Sequence, residues 1–469
     1  MHPALRDVDW AAQDAAALAL LRDLLRFDTS NWPSSHPAPG AGTDRGTTPG
    51  HEGPCAAFAA EHLHASGLEP QLLAAVPDRP NVIARLRGDG GEPPLMLSAH
   101  LDVVPAEADR WTHPPFGGEV HDGWVWGRGA IDMKHMAAMS LIAVRLLARS
   151  GVALRRDVIV SLVADEEDGC AHGSQWLVAE HPETVRAGFV LGEVGGFTLH
   201  IGGRPLYPVQ VAEKGVCWIQ ATAHGATGHG SMPRSDNAVV RLASFLHRLG
   251  STKLPVQRSA ALDRFVTELA ATQGLPARAV LPLLLQPQLS GALTDLIGLR
   301  EAGVARMLDA VVRNTATPTM LSAGTRVNVI PGGAQAQIDG RIAVGSSQAQ
   351  LLAELRRLAG DHVTLEVVKG DRAPSEHPID TELFGVIGDV VGAHHPGAAA
   401  IPSITPGFTD AHFWAQLGAV CYGFSPVRLE PGGPSFGDLF HGDDERIPVD
   451  GFTAGVRMLA DVVLRFCAA

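Results

Sequence analysis

Apolar residues recur every three or four positions through residues 14–27, and the polar run Asp28, Thr29, Ser30, Asn31 ends that helix. Residues 34–50 are rich in Pro, Gly, Ser and Thr and read as a surface loop. A second helix is expected over 53–66, stopping near Gly67. Residues 81–86 and 95–99 read as strands, the second ending at His100. A strongly periodic helix follows over 134–148, then buried strands over 157–163 and 188–191, the last running into Glu193. Helices alternating with apolar strands predict an α/β sheet covered on both faces.

The pattern then changes. Residues 207–223 partly alternate, a Gly/His loop follows, and a helix is expected over 237–249. From 251 to about 318 the chain is rich in Leu, Ala and Arg with scattered Pro, which reads as a helical insertion. Residues 325–344 read as two strands around Pro331-Gly332-Gly333, and a helix over 347–358 and a strand over 362–368 close the unit. Helix/strand alternation returns from Pro378 and runs to a last helix over 451–466. The expected organisation is an α/β domain in two segments, 1–207 and 372–469, with an α+β domain, 208–371, inserted between them.

Composition narrows the function classes. Of 469 residues, 45% are hydrophobic and 19% charged, as in a globular protein with a substantial core. The net charge of −13 argues against a nucleic-acid partner. The most apolar charge-free stretch, 279–294, is shorter than a membrane span and is interrupted by Pro282 and Pro287, so no membrane partner is expected. The five cysteines are scattered, with no CxxC pair, which excludes a thiolate zinc site and a disulfide framework. With acids rather than basic residues near its start, the chain reads as cytoplasmic.

The candidate chemistry gathers just past strand ends, where open α/β sheets place their sites. His100 ends one strand, and Asp102, two positions on, can lie beside it and fix its tautomer. Gly127 and Gly129 allow a tight path that turns Asp132 inward. The acidic run from Asp165 through Glu166 and Glu167 to Asp168 follows the next strand, and Glu193 the one after; His441 sits in a Gly/Asp loop. Taken singly, each has a plainer reading: a core histidine, a solvated acidic loop, a helix cap. Their common position past strands or in tight loops favours a metal reading. Two histidines and several carboxylates without thiolate suit zinc, cobalt or manganese in a dinuclear hydrolytic site. A dinucleotide site is disfavoured, since Gly127 and Gly129 lack a third glycine at the right spacing.

The segments SAHLDVVP, WGRGAIDMK, ADEEDG, LGE and FHGDDERIPV, in that order, resemble the M20 metallopeptidases, the group of glutamate carboxypeptidase, aminoacylase-1 and acetylornithine deacetylase. The resemblance covers nearly the whole chain. It implies a zinc-peptidase-like mixed sheet sandwiched by helices, with an inserted lid and dimerisation domain. It implies two Zn2+ (Co2+ or Mn2+ as substitutes), one on His100, Asp132 and Glu193, the other on Asp132, Glu167 and His441, with Asp132 bridging and followed by a cis peptide. Glu166 would be the general base and Asp102 would orient His100. In the lid, the loop carrying His229 would polarise the scissile carbonyl, often from a partner subunit. Arg341 and Asn328 match positions that hold the substrate carboxylate and carbonyl region, and the 405–410 loop with Gly407 would line the pocket.

The implied activity is hydrolysis of an N-acyl amino acid or a dipeptide with a free carboxylate, in a homodimer. Within the family the chain looks most like the Gly-X carboxypeptidase and N-acyl-amino-acid hydrolase branch. A deacylase of the acetylornithine type is the alternative substrate reading. A non-catalytic metal-binding protein on the same fold is the alternative of another class. His135, where the family commonly has glycine, is expected on a helix surface.

Overall fold

The computed structural model describes residues 1–32, 50–299 and 302–469. The expected 34–50 loop falls outside these residues, Gly50 excepted. The chain divides into two compact units, Met1–Val211 with His377–Ile401 and Thr409–Ala469, and Ala212–Glu376 with Pro402–Phe408. The cuts lie a few residues beyond 207 and 371, and the short Pro402–Phe408 stretch groups with the second unit.

The first unit is built on a mixed sheet. At its centre the strand Glu92–His100 runs parallel to Arg156–Val163 on one side and to Phe189–Gly192 on the other. Every residue of Arg156–Val163 is buried, which is why Val158–Val163 is apolar at every position but Ser161 rather than alternating. Val420–Gly423 extends the parallel set beyond Phe189–Gly192, and Asn81–Leu86 closes the other side antiparallel. His100 is level with Val163, so residues leaving the ends of these neighbouring strands emerge at one edge.

The helix Lys134–Arg149 is buried on nearly all sides and packs between the helices Trp10–Leu25 and Val449–Cys467 and the sheet. His135, expected on that helix's surface, is buried, because this helix has almost no solvent face. The last helix approaches the chain so closely at Gly455 that a Cβ there would meet the Pro426 carbonyl at 1.7 Å. All five cysteines are buried and none is in a disulfide. A small antiparallel sheet of Glu119–His121, Trp124–Trp126 and Arg446–Pro448 flanks the Asp132 loop.

The second unit has a four-stranded antiparallel sheet in the order Thr315–Ala323, Gly333–Ile342, Gly215–His224, Val363–Arg372. The helices Ala238–Ser251 and Gln348–Ala359 contribute Leu242, Phe245, Leu351 and Leu355 to a core shared with Ile219 and Ile338 of the strands. The insertion is helical, as expected, but only to Val312. Residues 315–318, placed in it by composition, begin a strand in which Thr315, Thr317 and Thr319 alternate. Of the two strands expected over 325–344, the first shrinks to Val329–Ile330, paired with Gly228–His229.

Candidate metal centre

Three strand ends and two loops of the first unit converge on one cluster. His100 ends its strand fully buried. Its Nε2 lies 3.0 Å from Asp132 Oδ1 and 3.5 Å from Glu193 Oε2. The other Asp132 oxygen, Oδ2, lies 2.9 Å from His441 Nε2, which is also 3.2 Å from Glu167 Oε2. The Asp132 carboxylate thus stands between two histidines, each with a second carboxylate beside it. Glu166, with His100 and Glu193, forms one further group whose ligand atoms all lie within 4.8 Å of one another. The Asp132–Met133 peptide is cis.

The backbone is shaped to make this arrangement. Asp132 follows the Trp124–Trp126 strand through a loop pinned by a residue the sequence reading passed over. Glu445, fully buried, accepts hydrogen bonds from Arg128 Nη1 at 2.7 Å, from the Ile131 amide at 2.7 Å, and from the Gly129 and Asp132 amides at 3.1 Å. The segment FHGDDERIPV therefore supplies both His441 and the clamp for the loop carrying Asp132. His441 itself sits at φ 57°, a left-handed conformation that non-glycine residues seldom adopt.

Asp102 holds two parts of the cluster. His100 Nδ1 lies 2.9 Å from the Asp102 backbone carbonyl and 3.6 Å from its carboxylate, so the main-chain oxygen is the nearer partner for the ring N–H. The carboxylate instead accepts the amides of Glu166 and Glu167, each at 3.1 Å. Behind it runs a buried chain the sequence did not suggest. Asn31 Nδ2 donates to Asp102 Oδ2 at 2.9 Å and to Asp165 Oδ1 at 3.1 Å. Arg79 donates to the same Asp165 oxygen at 2.8 Å and to Glu52 at 2.6 Å. Asp410 is a further buried acid, bonded by the Ser174 hydroxyl, beside a small cavity shared with Glu193 and Ser98.

So many buried carboxylates cannot all carry uncompensated charge. Burial, with Asp132 nearby, pushes Glu193 up to about 8 and Glu167 up to about 7. Burial and the neighbouring Glu193 raise Glu166 well above the ordinary carboxylate range. Despite burial, hydrogen bonds from His100 and His441 hold Asp132 well below it. The same contacts lift His441 to about 10 against the effect of burial, and His100 likewise rises. Imidazoles drawn towards their protonated form mark a demand for positive charge beside these acids. Divalent cations fit the same demand, and metal binding at such ligands displaces those protons. Glu167 Oε1 and Glu193 Oε1 are buried without any hydrogen-bond partner, as expected of oxygens facing a cation.

The residues expected to touch substrate belong to the second unit. His229 is exposed on the Gly228–His229 strand and bonds Ser231 Oγ at 2.8 Å through Nδ1. Asn328 lies next to it, its carbonyl accepting the Gly230 amide at 2.8 Å. Arg341 is elsewhere on the sheet. It is level with Val216, whereas Gly333, at the other end of the same strand, is level with His224 near the His229 loop. Eight residues of strand separate the two ends, roughly 27 Å. Arg341 is bonded by Asp339 of its own strand at 2.8 and 3.1 Å. Gly407 lies beside Phe408, whose ring stacks under the Arg372 guanidinium at 3.7 Å.

A buried histidine, a partly exposed one and several carboxylates past the ends of parallel strands have the composition of a metal-dependent hydrolase site. Residues 96–465 match the model of peptidase family M20/M25/M40, and the chain belongs to that family. It is similar to the human N-fatty-acyl-amino acid synthase/hydrolase PM20D1, 28% identical over 381 residues, covering 79% of this chain and 73% of the relative. It is also similar to pig aminoacylase-1, 29% identical over 419 residues, covering 86% and 88%. Its fold matches the M20 metallo-carboxypeptidase Sso-CP2 of Sulfolobus solfataricus with a TM-score of 0.67 at 15% identity, over 95% of this chain and 98% of that one. The protein is therefore a hydrolase. Among the described residues no helix is long and apolar enough to cross a membrane.

Proposed function

We propose that the chain hydrolyses the amide bond of N-acyl amino acids, using two divalent ions, in the first instance zinc. The observation that carries this reading is the Asp132 carboxylate, with one oxygen toward His100 and the other toward His441 and a second acid beside each histidine. His100, Asp132 and Glu193 would hold one ion, and Asp132, Glu167 and His441 the other. Bound there, the ions would supply Lewis-acid polarisation and make water a competent nucleophile at neutral pH. Glu166 removes a proton from that water and returns it to the leaving amine nitrogen. Asp102 keeps Glu166 and Glu167 in register through their two amides. His229 donates to the carbonyl oxygen as negative charge develops there. Arg341 donates to the substrate carboxylate in place of Asp339.

The likeness to an N-fatty-acyl-amino acid hydrolase and to aminoacylase-1 supports N-acyl amino acids ahead of dipeptides. Five buried cysteines outside any disulfide support a reducing, cytoplasmic setting.

The separation of Arg341 from the His229 loop supports a homodimer. A substrate's carboxylate and scissile carbonyl are one residue apart, about 4 Å. Side chains at opposite ends of one strand do not both reach so small a group from the same copy, so His229 and Asn328 would come from a second copy.

Glu166→Gln is expected to retain its metal and lose at least ~100-fold in turnover on N-acyl amino acids. Near-normal turnover would overturn the general-base role. Light scattering should give twice the 49.3 kDa chain mass. Mixing inactive Glu166→Gln and His229→Ala chains, with exchange of subunits, should restore roughly a quarter of wild-type activity, because one of the two sites in each mixed dimer is intact. No recovery after demonstrated exchange would place His229 in its own chain's site.

A further inference from the structure

A second group of metal-ligating side chains lies in the first unit, outside the buried centre. Glu119 and His121 are two positions apart on one strand of the small antiparallel sheet, so they share a face. His121 Nε2 lies 2.8 Å from Glu119 Oε2. His113, from the preceding loop, stacks its ring on that of His121 with centroids 3.7 Å apart and planes 4° from parallel. One ligand atom from each of the three lies within 4.8 Å of the others. All three are partly exposed, so an ion could enter from solvent without opening the core.

We propose that His113, Glu119 and His121 form a third, solvent-accessible site for a divalent transition metal, separate from the dinuclear centre. Two imidazoles and one carboxylate are the ligand types that favour zinc, nickel, cobalt or copper over magnesium and calcium. Three protein ligands leave a coordination position for water, so the site is open rather than closed. Coordination requires the stacked rings to splay, since parallel rings aim their nitrogen lone pairs in parallel. Their exposure leaves room for that rotation.

The site is placed to stiffen the wall of the main centre. His113 packs edge-on against Trp126 at 4.6 Å, and Trp126 leads directly into the loop that carries Asp132. An ion joining the His113 loop to the Glu119–His121 strand would tie that loop to the sheet beneath Trp126.

The test counts metal per chain after equilibrium dialysis against low-micromolar Zn2+ and, separately, Ni2+. Wild type is compared with His113→Asn, His121→Asn and Glu119→Gln. Wild type should hold one equivalent more than either histidine variant. Glu119→Gln should weaken that last equivalent by about tenfold or more. Equal counts in wild type and in a histidine variant with wild-type circular dichroism would overturn the proposal. Should a histidine variant fail to fold, Glu119→Gln, a change at a partly exposed strand position, decides by itself: an unchanged third equivalent refutes the site. The comparison is a difference between chains, so it stands whatever the substrate of the buried centre.

Discussion

Replacing Arg79 by Met removes the one cation that Glu52 and Asp165 share among the described residues. All three residues are buried, with side-chain exposures of 3%, 0% and 4%. Burial costs the Arg79 guanidinium its hydration, yet the hydrogen bonds and charge of Glu52, followed by Asp165, hold its pKa above the ordinary arginine value, so it stays charged. The variant keeps most of the side-chain volume and leaves two carboxylates without their partner. Breaking a buried pair in this way costs about 3–5 kcal/mol. At this chain length that corresponds to about 1 °C per kcal/mol, so Tm should fall by roughly 3–5 °C. The loss should also reach the reaction, because Asp165 shares Asn31 with Asp102, and Asp102 holds the amides of Glu166 and Glu167. A displacement of about 1 Å there can lower the rate up to about 100-fold. The assay is calorimetry together with kcat measured well below the new Tm. Changing Glu52 to Met as well removes one stranded acid and should recover part of the lost stability. A single variant within ~1 kcal/mol of wild type, or a double variant less stable than the single, would refute the reasoning.

Two further outcomes follow from packing and charge. Asp461 is opposed by burial, but His394, the His2 amide and Arg465 hold its carboxyl below the ordinary range. The stability it contributes is therefore complete above the ordinary carboxylate value and is lost as pH falls from roughly 4 towards its lowered value. An Asp461→Asn chain should be less stable at pH 7 and show a shallower fall in Tm on acidification; an unchanged acid limb would count against this assignment. Gly455→Ala should destabilise by about 1–3 kcal/mol in denaturant titration, since its Cβ has nowhere to go beside the Pro426 carbonyl; a neutral effect would mean that helix can shift freely.

The parts of the site legible in the sequence are those governed by short-range pattern. His100, Glu166, Glu167 and Glu193 each follow an apolar run that ends at a definite residue, and parallel pairing brings those ends together. The supporting residues have no such local signal. Glu445 meets Arg128 across more than 300 residues, and Arg79 meets Asp165 across 86. A buried Arg or Glu looks, in sequence, like any solvated one. His135 was misplaced for a related reason: a helix buried on all sides gives a histidine no polar face to mark. The second unit's Thr315–Ala323 strand was partly absorbed into the insertion because its exposed edge position leaves no alternation of apolar residues.

The first unit closes only with its last segment, and this fixes when the centre can exist during synthesis. Glu193 and the clustered residues before it emerge from the ribosome about 250 residues ahead of His441 and Glu445. At ~5–20 residues per second, that is a delay of roughly 12–50 s. Throughout it, the nascent chain carries a crowd of acids with one histidine among them and an unclamped Asp132 loop. The growing polypeptide therefore has to keep the first half of the unit from settling around an incomplete ligand set while the entire second unit is made. The hydrolase becomes competent only once this last segment of the first unit has emerged, with no activity to exert beforehand.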